Sequence, residues 1–151
     1  MSLINSTAIP SGASAYEIEQ SLRFDSSGIL TRAPKQGNRK TMTLSVWFKR
    51  GSVGTSGQQF LCTADGNAMF RIKNDQLQVY NWITPADYGW IAKPLLRDPS
   101  AWYHAVFIID TTNNTAVDRM RIYLNGVRIT EKQTDYADPP LNWETSFNDL
   151  T

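Results

Sequence analysis

The feature that most constrains this chain is an alternation of apolar and polar side chains with a period of two residues. In residues 41–50 the even-numbered positions from 42 to 48 are Met, Leu, Val and Phe, and the positions between them are polar except for Trp47. A period of two puts successive side chains on opposite faces of a β-strand, so one face is buried and the other meets solvent. A register slip of one residue would expose the whole apolar face, and the pattern therefore fixes the register.

Runs of this kind recur along the chain and predict an all-β protein. Polar links separate them, and Asn125-Gly126 is a strong hairpin signal because both residues tolerate the positive φ of a type I′ turn. Asn74-Asp75 is a second tight link, and no long helical period is present. The predicted strands are 17–24, 41–50, 58–63, 69–73, 76–83, 89–96, 102–110, 119–124 and 127–131. This spacing predicts an antiparallel sandwich of two sheets.

Residues 102–110 carry apolar side chains on both faces of the predicted strand. Tyr103 and Phe107 represent one face, whereas Val106 and Ile108 represent the other. We therefore expect this strand to be central in its sheet and covered on both sides.

Composition narrows the range of partners. The 151 residues contain 15 Lys or Arg and 14 Asp or Glu, and the formal charge of +1 offers no electrostatic footprint for nucleic acid. No apolar run approaches the roughly 20 residues that span a bilayer, and residues 1–12 do not resemble a secretory signal. We expect a soluble product made in a cytoplasm, without nucleic acid or membrane as a partner. Cys62 is the sole cysteine and is interpreted as a small buried apolar residue.

Three segments are predicted. Residues 1–15, rich in Ser, Ala, Asn and Thr, form an extended N-terminal arm. Residues 16–131 form the sandwich domain, and residues 132–151, rich in Pro and Asp, form a loop-rich C-terminal segment.

Six short segments, in order and in spacing, give the chain a resemblance to a known group of modules. They are residues 21–25, 37–41, 44–51, 97–104, 109–112 and 122–127, with sequences such as LSVWFKRG and IYLNGV. Together they resemble the concanavalin A-like or laminin-G-like modules of bacteriophage and cyanophage virion proteins, over residues 16–130. The resemblance implies a jelly-roll sandwich of two antiparallel sheets, used in tail fibres, tail-associated adhesins and capsid decorations.

The chain departs from these modules after Glu131. Modules of this type usually continue with further strands, and the last of these pairs near the first strand. The sandwich is therefore expected to be incomplete at its C-terminus, leaving an open sheet edge beside residues 18–24. A neighbouring chain, the N-terminal arm or further C-terminal sequence is predicted to cover that edge.

Candidate catalytic groups are few. His104 is the single histidine and is interpreted as a packed or hydrogen-bonded core residue rather than a general base. Glycoside hydrolases need two carboxyl groups across a cleft, and Glu17 and Glu19 are the one pair with same-face spacing. A solvated strand face explains that pair better, so the protein is predicted not to be an enzyme.

Calcium is the one metal that the resemblance suggests, since laminin-G-like modules often bind it through oxygen ligands at a loop rim. Asp110, Asn113 and Asp118, with Asn114 between them, lie in the loop between two predicted strands. Asp65 and Asn67 form a second, shorter group. Ordinary turn formation is the favoured interpretation, so no cofactor is predicted and calcium stays the alternative.

Aromatic residues suggest a binding site. Trp82, Tyr88 and Trp90 flank the loop 84–89, and exposed Trp or Tyr rings are common platforms for sugars or protein partners. Closure of one end of the core is the favoured alternative for these three residues.

The sequence therefore supports a non-enzymatic structural or adhesive module of a phage virion. Its expected partners are other virion subunits, including copies of itself in a homo-oligomer, and glycans of the host surface. The expected location is the virion, after synthesis in the bacterial cytoplasm. A free-standing carbohydrate-binding lectin is the alternative, and a glycoside hydrolase is the least favoured.

Overall fold

The computed structural model describes residues 22–25, 28–32, 35–54, 58–64, 66–83, 86–133 and 136–149. The chain divides into two units, Met1–Arg32 and Ala33–Thr151. In the first unit, residues 22–25 and 28–32 form no strand, and the Gly28 amide donates to Asp25 Oδ1 at 2.8 Å. The strand predicted over 17–24 is therefore absent at 22–24, and its remaining residues, the arm at 1–15 and most of the predicted open edge lie outside the described residues.

The second unit is built from two antiparallel sheets. Among the described residues, the one helical element is a 3-10 turn at Ala116–Asp118, and no helix is long and apolar enough to cross a membrane. The strands are β1 (Thr41–Lys49), β2 (Gln58–Ala64), β3 (Ala68–Lys73), β4 (Gln76–Ile83), β5 (Ala86–Leu95), β6 (Trp102–Asp110), β7 (Met120–Leu124), β8 (Val127–Arg128) and β9 (Lys132–Gln133). One sheet has the order β1-β6-β7-β8 and the other β2-β3-β4-β5-β9. The predicted all-β, two-sheet architecture is confirmed.

Both predicted hairpin turns are present. Asn74 and Asp75 have φ values of 52° and 62°, and Asn125 and Gly126 have values of 50° and 81°. Two successive positive φ angles are the mark of a type I′ turn, whose twist matches that of paired strands. These turns set the β3–β4 and β7–β8 registers.

The alternation predicted for β1 is confirmed, whereas the prediction for β6 is half right. Along β1 the apolar positions pack against the core and Trp47 stays on the outer side. β6 lies between β1 and β7, so it is central within its sheet. Its second face is not covered as predicted, because Val106 and Ile108 are only half-buried and Trp102 is exposed.

The core joins the two sheets through a run of aromatic rings. Phe70 of β3 lies 4.9 Å from the Phe107 ring of β6 and 4.6 Å from the Phe147 ring, centroid to centroid. All three side chains are fully buried. Phe147 belongs to the segment predicted to be loop-rich, so that segment contributes directly to the core.

Polar side chains fasten this C-terminal segment to the sandwich. The buried amide of Asn81 donates to Ser146 Oγ at 3.2 Å and accepts from the Ser146 amide at 2.9 Å. Thr111 Oγ1 donates to the Trp143 carbonyl at 2.7 Å, and Arg39 Nε donates to the Thr145 carbonyl at 2.8 Å. Because these groups are satisfied by one another, the segment is held without a long strand pairing.

A buried carboxylate fixes one corner of the sandwich. Asp75, only 2 % exposed, accepts hydrogen bonds from the Gly54 amide at 2.8 Å, from Arg50 Nη1 at 2.6 Å and from Arg97 Nε at 3.1 Å. The Gly54 amide, followed by the two guanidinium groups, lowers the pKa of Asp75 from 3.8 to about 2, against the opposing effect of burial. The β3–β4 turn, the loop after β1 and the end of β5 are thereby tied together.

Replacing this carboxylate should destabilise the fold. Asp75→Asn leaves Arg50 buried without its counter-ion, and we expect the melting temperature at pH 7 to fall by roughly 10 °C. The contribution of Asp75 is fully present above its ordinary pKa of 3.8 and is lost as the pH falls toward about 2, so the two melting curves should converge over that range. Thermal unfolding followed by circular dichroism measures this, and the exposed Glu144→Gln serves as control with a shift near zero. An unchanged difference between pH 7 and pH 2 would contradict the role of Asp75.

Truncating the aromatic core should show whether the C-terminal segment supports the sandwich. We expect Phe147→Ala to cost about 3–5 kcal/mol of unfolding free energy, the usual cost of removing a buried phenyl ring. Leu141→Ala, in the same segment but half-exposed, should cost less than about 1 kcal/mol. Urea denaturation of both variants gives the two values. A cost for Phe147→Ala as small as that expected for Leu141→Ala would mean that the Phe147 contact does not support the sandwich.

Candidate functional site

The outer face of the four-stranded sheet carries aromatic side chains on three neighbouring strands, and two of them, Trp47 and Trp102, are more than half exposed. β1 supplies Ser45 and Trp47, β6 supplies Trp102 and His104, and β7 supplies Tyr123; we call these five residues the aromatic face. The register brings them together, because Trp47 is the cross-strand partner of His104 and Val106 pairs with both Ser45 and Tyr123. Side chains that are direct partners stand on the same face of a sheet, about 5 Å apart.

Trp47 is held in place by the imidazole of His104. The two ring centroids are 4.7 Å apart and the ring planes differ by 13°, which is a stacked arrangement. The imidazole is itself fixed by Ser45 Oγ, 2.9 Å from His104 Nε2. The indole is nevertheless 58 % exposed, and within the described part of the chain no strand lies beyond β1. One ring face of Trp47 is therefore covered by histidine, while the other is open to solvent.

The backbone beneath His104 is fixed by the neighbouring hairpin. The His104 amide donates to Asn125 Oδ1 at 2.9 Å, and the Asn125 amide donates to the His104 carbonyl at 2.8 Å. The left-handed φ of Asn125 is thus combined with a side-chain contact that anchors β6. The rings of the aromatic face stand on a sheet that is rigid at this point.

The Ser45–His104 pair has the spacing of a nucleophile and its base, but it lacks the rest of a hydrolytic site. Ser45 is the sole hydrogen-bond partner of the imidazole among the described residues, so no carboxylate there orients the ring. The pair lies on an open sheet face under an indole ring. What this arrangement provides chemically is a flat apolar surface bordered by a hydroxyl and an imidazole edge.

The three aromatic residues predicted as a binding site do not form one surface. Trp82 pairs with Asp87, so it lies on the outer face of its sheet, while Tyr88 is one residue further and points to the opposite face. Tyr88 packs edge-on against Trp143 at 4.7 Å, and Trp90 is 5 % exposed within the core. Tyr88 and Trp90 therefore contribute to the core, which was the favoured alternative for these residues. Of the three, only Trp82 is exposed.

Polar side chains on the outer face of the five-stranded sheet are engaged with one another. Arg71 and Gln78 of the same outer face are buried, Arg71 Nε donates to Gln78 Oε1 at 3.0 Å, and the Arg71 guanidinium lies 5.1 Å from the centre of the Tyr80 ring. Burial, together with the charge of Asp87 and a hydrogen bond to it, raises the pKa of the Tyr80 hydroxyl. This polar cluster is engaged within the protein.

The predicted calcium ligands serve the loop after β6. Asp110 Oδ1 accepts from Thr112 Oγ1 at 2.6 Å, Asn113 Oδ1 accepts from the Thr115 amide at 2.8 Å, and Asp118 is ion-paired with Arg128. Within the described ranges, no three His, Cys, Asp or Glu side chains lie close enough together to hold a metal ion. These contacts are those of turn formers, and calcium binding stays a prediction.

The remaining candidates are placed as follows. His104 is packed and hydrogen-bonded as predicted, but it lies on the outer face and not in the core, because its strand neighbours Tyr103 and Ala105 take the inner positions. Cys62 is half-buried against the core. Glu17, Glu19 and Asp65 lie outside the described residues.

The sequence contained a signal for the aromatic face. Trp47 was the single apolar residue on the polar side of its strand, whereas Trp102 lay on a face of β6 whose apolar residues led to the prediction that it is covered. A tryptophan on the solvent-facing side of an amphipathic strand is a signal for a functional surface, since large aromatic residues are normally mostly buried. What the sequence did not reveal was that β1 pairs with β6 in a register that joins Trp47 to His104.

A two-sheet antiparallel sandwich that displays aromatic side chains on one sheet is the architecture of many carbohydrate-binding and structural modules. The family model described as the concanavalin A-like lectin/glucanases superfamily matches residues 24–148. The chain therefore belongs to the concanavalin A-like lectin/glucanases superfamily. No curated protein and no solved structure gives a significant match.

Proposed function

We propose that this protein is a non-catalytic carbohydrate-binding module in which a sugar ring stacks on the open face of the Trp47 indole. The observation that carries the proposal is that Trp47 is 58 % exposed yet fixed by stacking on His104. A large apolar ring that stays in water loses little conformational entropy on binding when it is already held in one orientation. The apolar face of a pyranose ring is the natural counterpart of such a surface.

Polar groups around the indole supply the second requirement of sugar binding. Ser45 and the half-buried Tyr123 are hydroxyl-bearing residues on the same face, and the His104 ring both stacks on Trp47 and contacts the Ser45 hydroxyl. Ligand sites combine an apolar surface with a few fixed hydrogen-bonding groups that determine orientation. Trp102 extends the surface toward the start of β6 and is 52 % exposed.

Binding without turnover is the proposed activity. Hydrolysis of a glycosidic bond generally needs two carboxyl groups on either side of that bond. The five residues of the aromatic face carry hydroxyl and imidazole groups and no carboxyl group. A sugar held there is recognised, and we expect it to be released unchanged.

We further propose that the module acts in a phage particle, where several copies contact glycans of the host surface. The resemblance of six sequence segments to phage virion modules supports this role. A single stacking site binds weakly, and several sites on one assembly raise the overall affinity greatly. A homo-oligomer seen by light scattering, together with antibody labelling of phage particles, would support this role, whereas a monomer absent from particles would favour the free-standing lectin.

The binding role of Trp47 is testable by substitution. Trp47→Ala should lower the affinity for a bound glycan by a factor of ten or more, since loss of an exposed aromatic anchor costs about 1.4 kcal/mol or more. A glycan array identifies the ligand and isothermal titration calorimetry measures the change.

Trp82→Ala is the matched control, because Trp82 is similarly exposed at 51 % but lies on the other sheet. Its affinity should equal that of the unmodified protein. Equal loss in both variants, or loss in Trp82→Ala alone, would place the site elsewhere. Release of free sugar from any bound glycan would overturn the proposal that the module is non-catalytic.

A further inference from the structure

We infer that the glycan bound by the aromatic face is an acidic oligosaccharide and that Arg121 binds one of its carboxylate groups. The inference rests on the proposed function, because it names the class of sugar that the same face takes. Arg121 lies on the outer side of β7, in the cross-strand row that also contains Thr43 and Ile108.

Arg121 is distinguished from the other arginines of the sandwich by its lack of a partner. Among the described residues 35–149, the other six arginines have carboxylate, carbonyl or side-chain partners, in most cases at hydrogen-bonding distance; they are Arg39, Arg50, Arg71, Arg97, Arg119 and Arg128. Arg121 makes no such contact within those ranges, and its Nε is buried without a hydrogen-bond partner. The residue as a whole is only half-buried and it lines an open depression, so its terminal Nη atoms are the donors that we assign to a ligand.

The guanidinium borders a shallow depression that can receive a ligand group. The depression has a volume of about 340 Å³ and its lining includes Thr41, Thr43, Ile108, Asp110 and Arg121. Threonine hydroxyls and a guanidinium are a common combination of donors for a carboxylate, and arginine binds it through two parallel hydrogen bonds. A carboxylate there would satisfy donors that the protein leaves unpaired.

The charges of this face favour an anion. The outer positions of the four-stranded sheet carry Lys49, Arg121 and Arg128, and Asp110 is the one carboxylate among the described strand residues of that face. Arg128 is already ion-paired with Asp118, so Lys49 and Arg121 are the cations of that face without an ion-paired carboxylate among the described residues. Asp110 lies at the far end, one pleat repeat beyond Ile108, and its Oδ1 is engaged by Thr112. A second copy of the same basic face would meet like charge, whereas an acidic sugar meets opposite charge.

The distance between the two anchor points sets the length of the ligand. Trp47 and Thr43 are four residues apart along β1, or about 14 Å, and β7 lies two strand spacings away, or about 10 Å. The resulting diagonal of roughly 17 Å is too long for one sugar ring and suits a short chain. One ring therefore stacks on Trp47 while the carboxylate of another residue of the same chain reaches Arg121.

The test compares acidic oligosaccharides with their neutral counterparts. Oligogalacturonate, hyaluronan and alginate fragments are titrated beside the same fragments after chemical reduction of their carboxyl groups. We expect at least one acidic fragment to bind about tenfold or more tightly than its reduced form, and to lose affinity as salt is raised. Equal affinity for every acidic and reduced pair would overturn the inference.

Substitution of Arg121 assigns the preference to this residue. Arg121→Gln should reduce the affinity for the acidic fragment about tenfold and leave the reduced fragment unchanged, while Arg121→Lys should lose part of the preference because lysine lacks the planar fork. Lys93→Gln removes the same charge from an exposed position of the other sheet and should change neither affinity. Melting temperatures of all variants verify that they are folded. An undiminished preference in folded Arg121→Gln would overturn the assignment.

The two proposals fail in distinguishable ways. If Trp47→Ala abolishes binding while acidic and reduced fragments bind alike, the carbohydrate-binding function stands and the acidic preference falls. If acidic fragments bind through Arg121 and Trp47→Ala has no effect, the stacking site falls. Absence of binding to both the fragments and a broad glycan array would overturn both.

Discussion

The contact between Phe70, Phe107 and Phe147 is the interaction that makes one domain out of two sheets and a terminal segment. Phe70 stands between the other two rings, at 4.9 Å from Phe107 and 4.6 Å from Phe147, and all three are fully buried. Each ring comes from a different part of the fold. The same aromatic contact therefore joins both sheets and the C-terminal segment in one core.

This arrangement of the core determines what the outer surface can display. Once the inner positions of β1 and β6 are committed to the sandwich, the alternating positions must face outward whatever their chemistry. Trp47, Trp102 and His104 occupy such positions, and the β1–β6 register places Trp47 directly beside His104. The exposed Trp47 indole stacks on His104 of the same sheet face. A residue type that is usually mostly buried is therefore held at the surface in a fixed orientation.

Local patterns were sufficient to predict most of the fold. Alternation located β1 to β7 within a few residues, and the Asn-Gly and Asn-Asp pairs located their turns, because strand faces and type I′ turns depend on nearby residues.

The site depended on long-range pairing, which no local pattern contains. Trp82, Tyr88 and Trp90 are close in sequence, but their positions on β4 and β5 send Tyr88 and Trp90 inward. Trp47 and His104 are 57 positions apart, and a pairing between the strands that carry them was needed to join them. The outer side of β6 was predicted to be covered for the same reason, since apolar composition alone does not distinguish a buried face from a displayed one.

The corner around Asp75 has a consequence for local motion. Residues 50–54 follow β1 as a loop without regular structure, and such loops usually open readily. Here the Gly54 amide hydrogen is bound to a carboxylate that Arg50 and Arg97 also hold, so it can exchange with solvent only when that whole corner separates. We therefore expect this backbone position outside every strand to show the slow hydrogen exchange that is typical of the centre of a sheet.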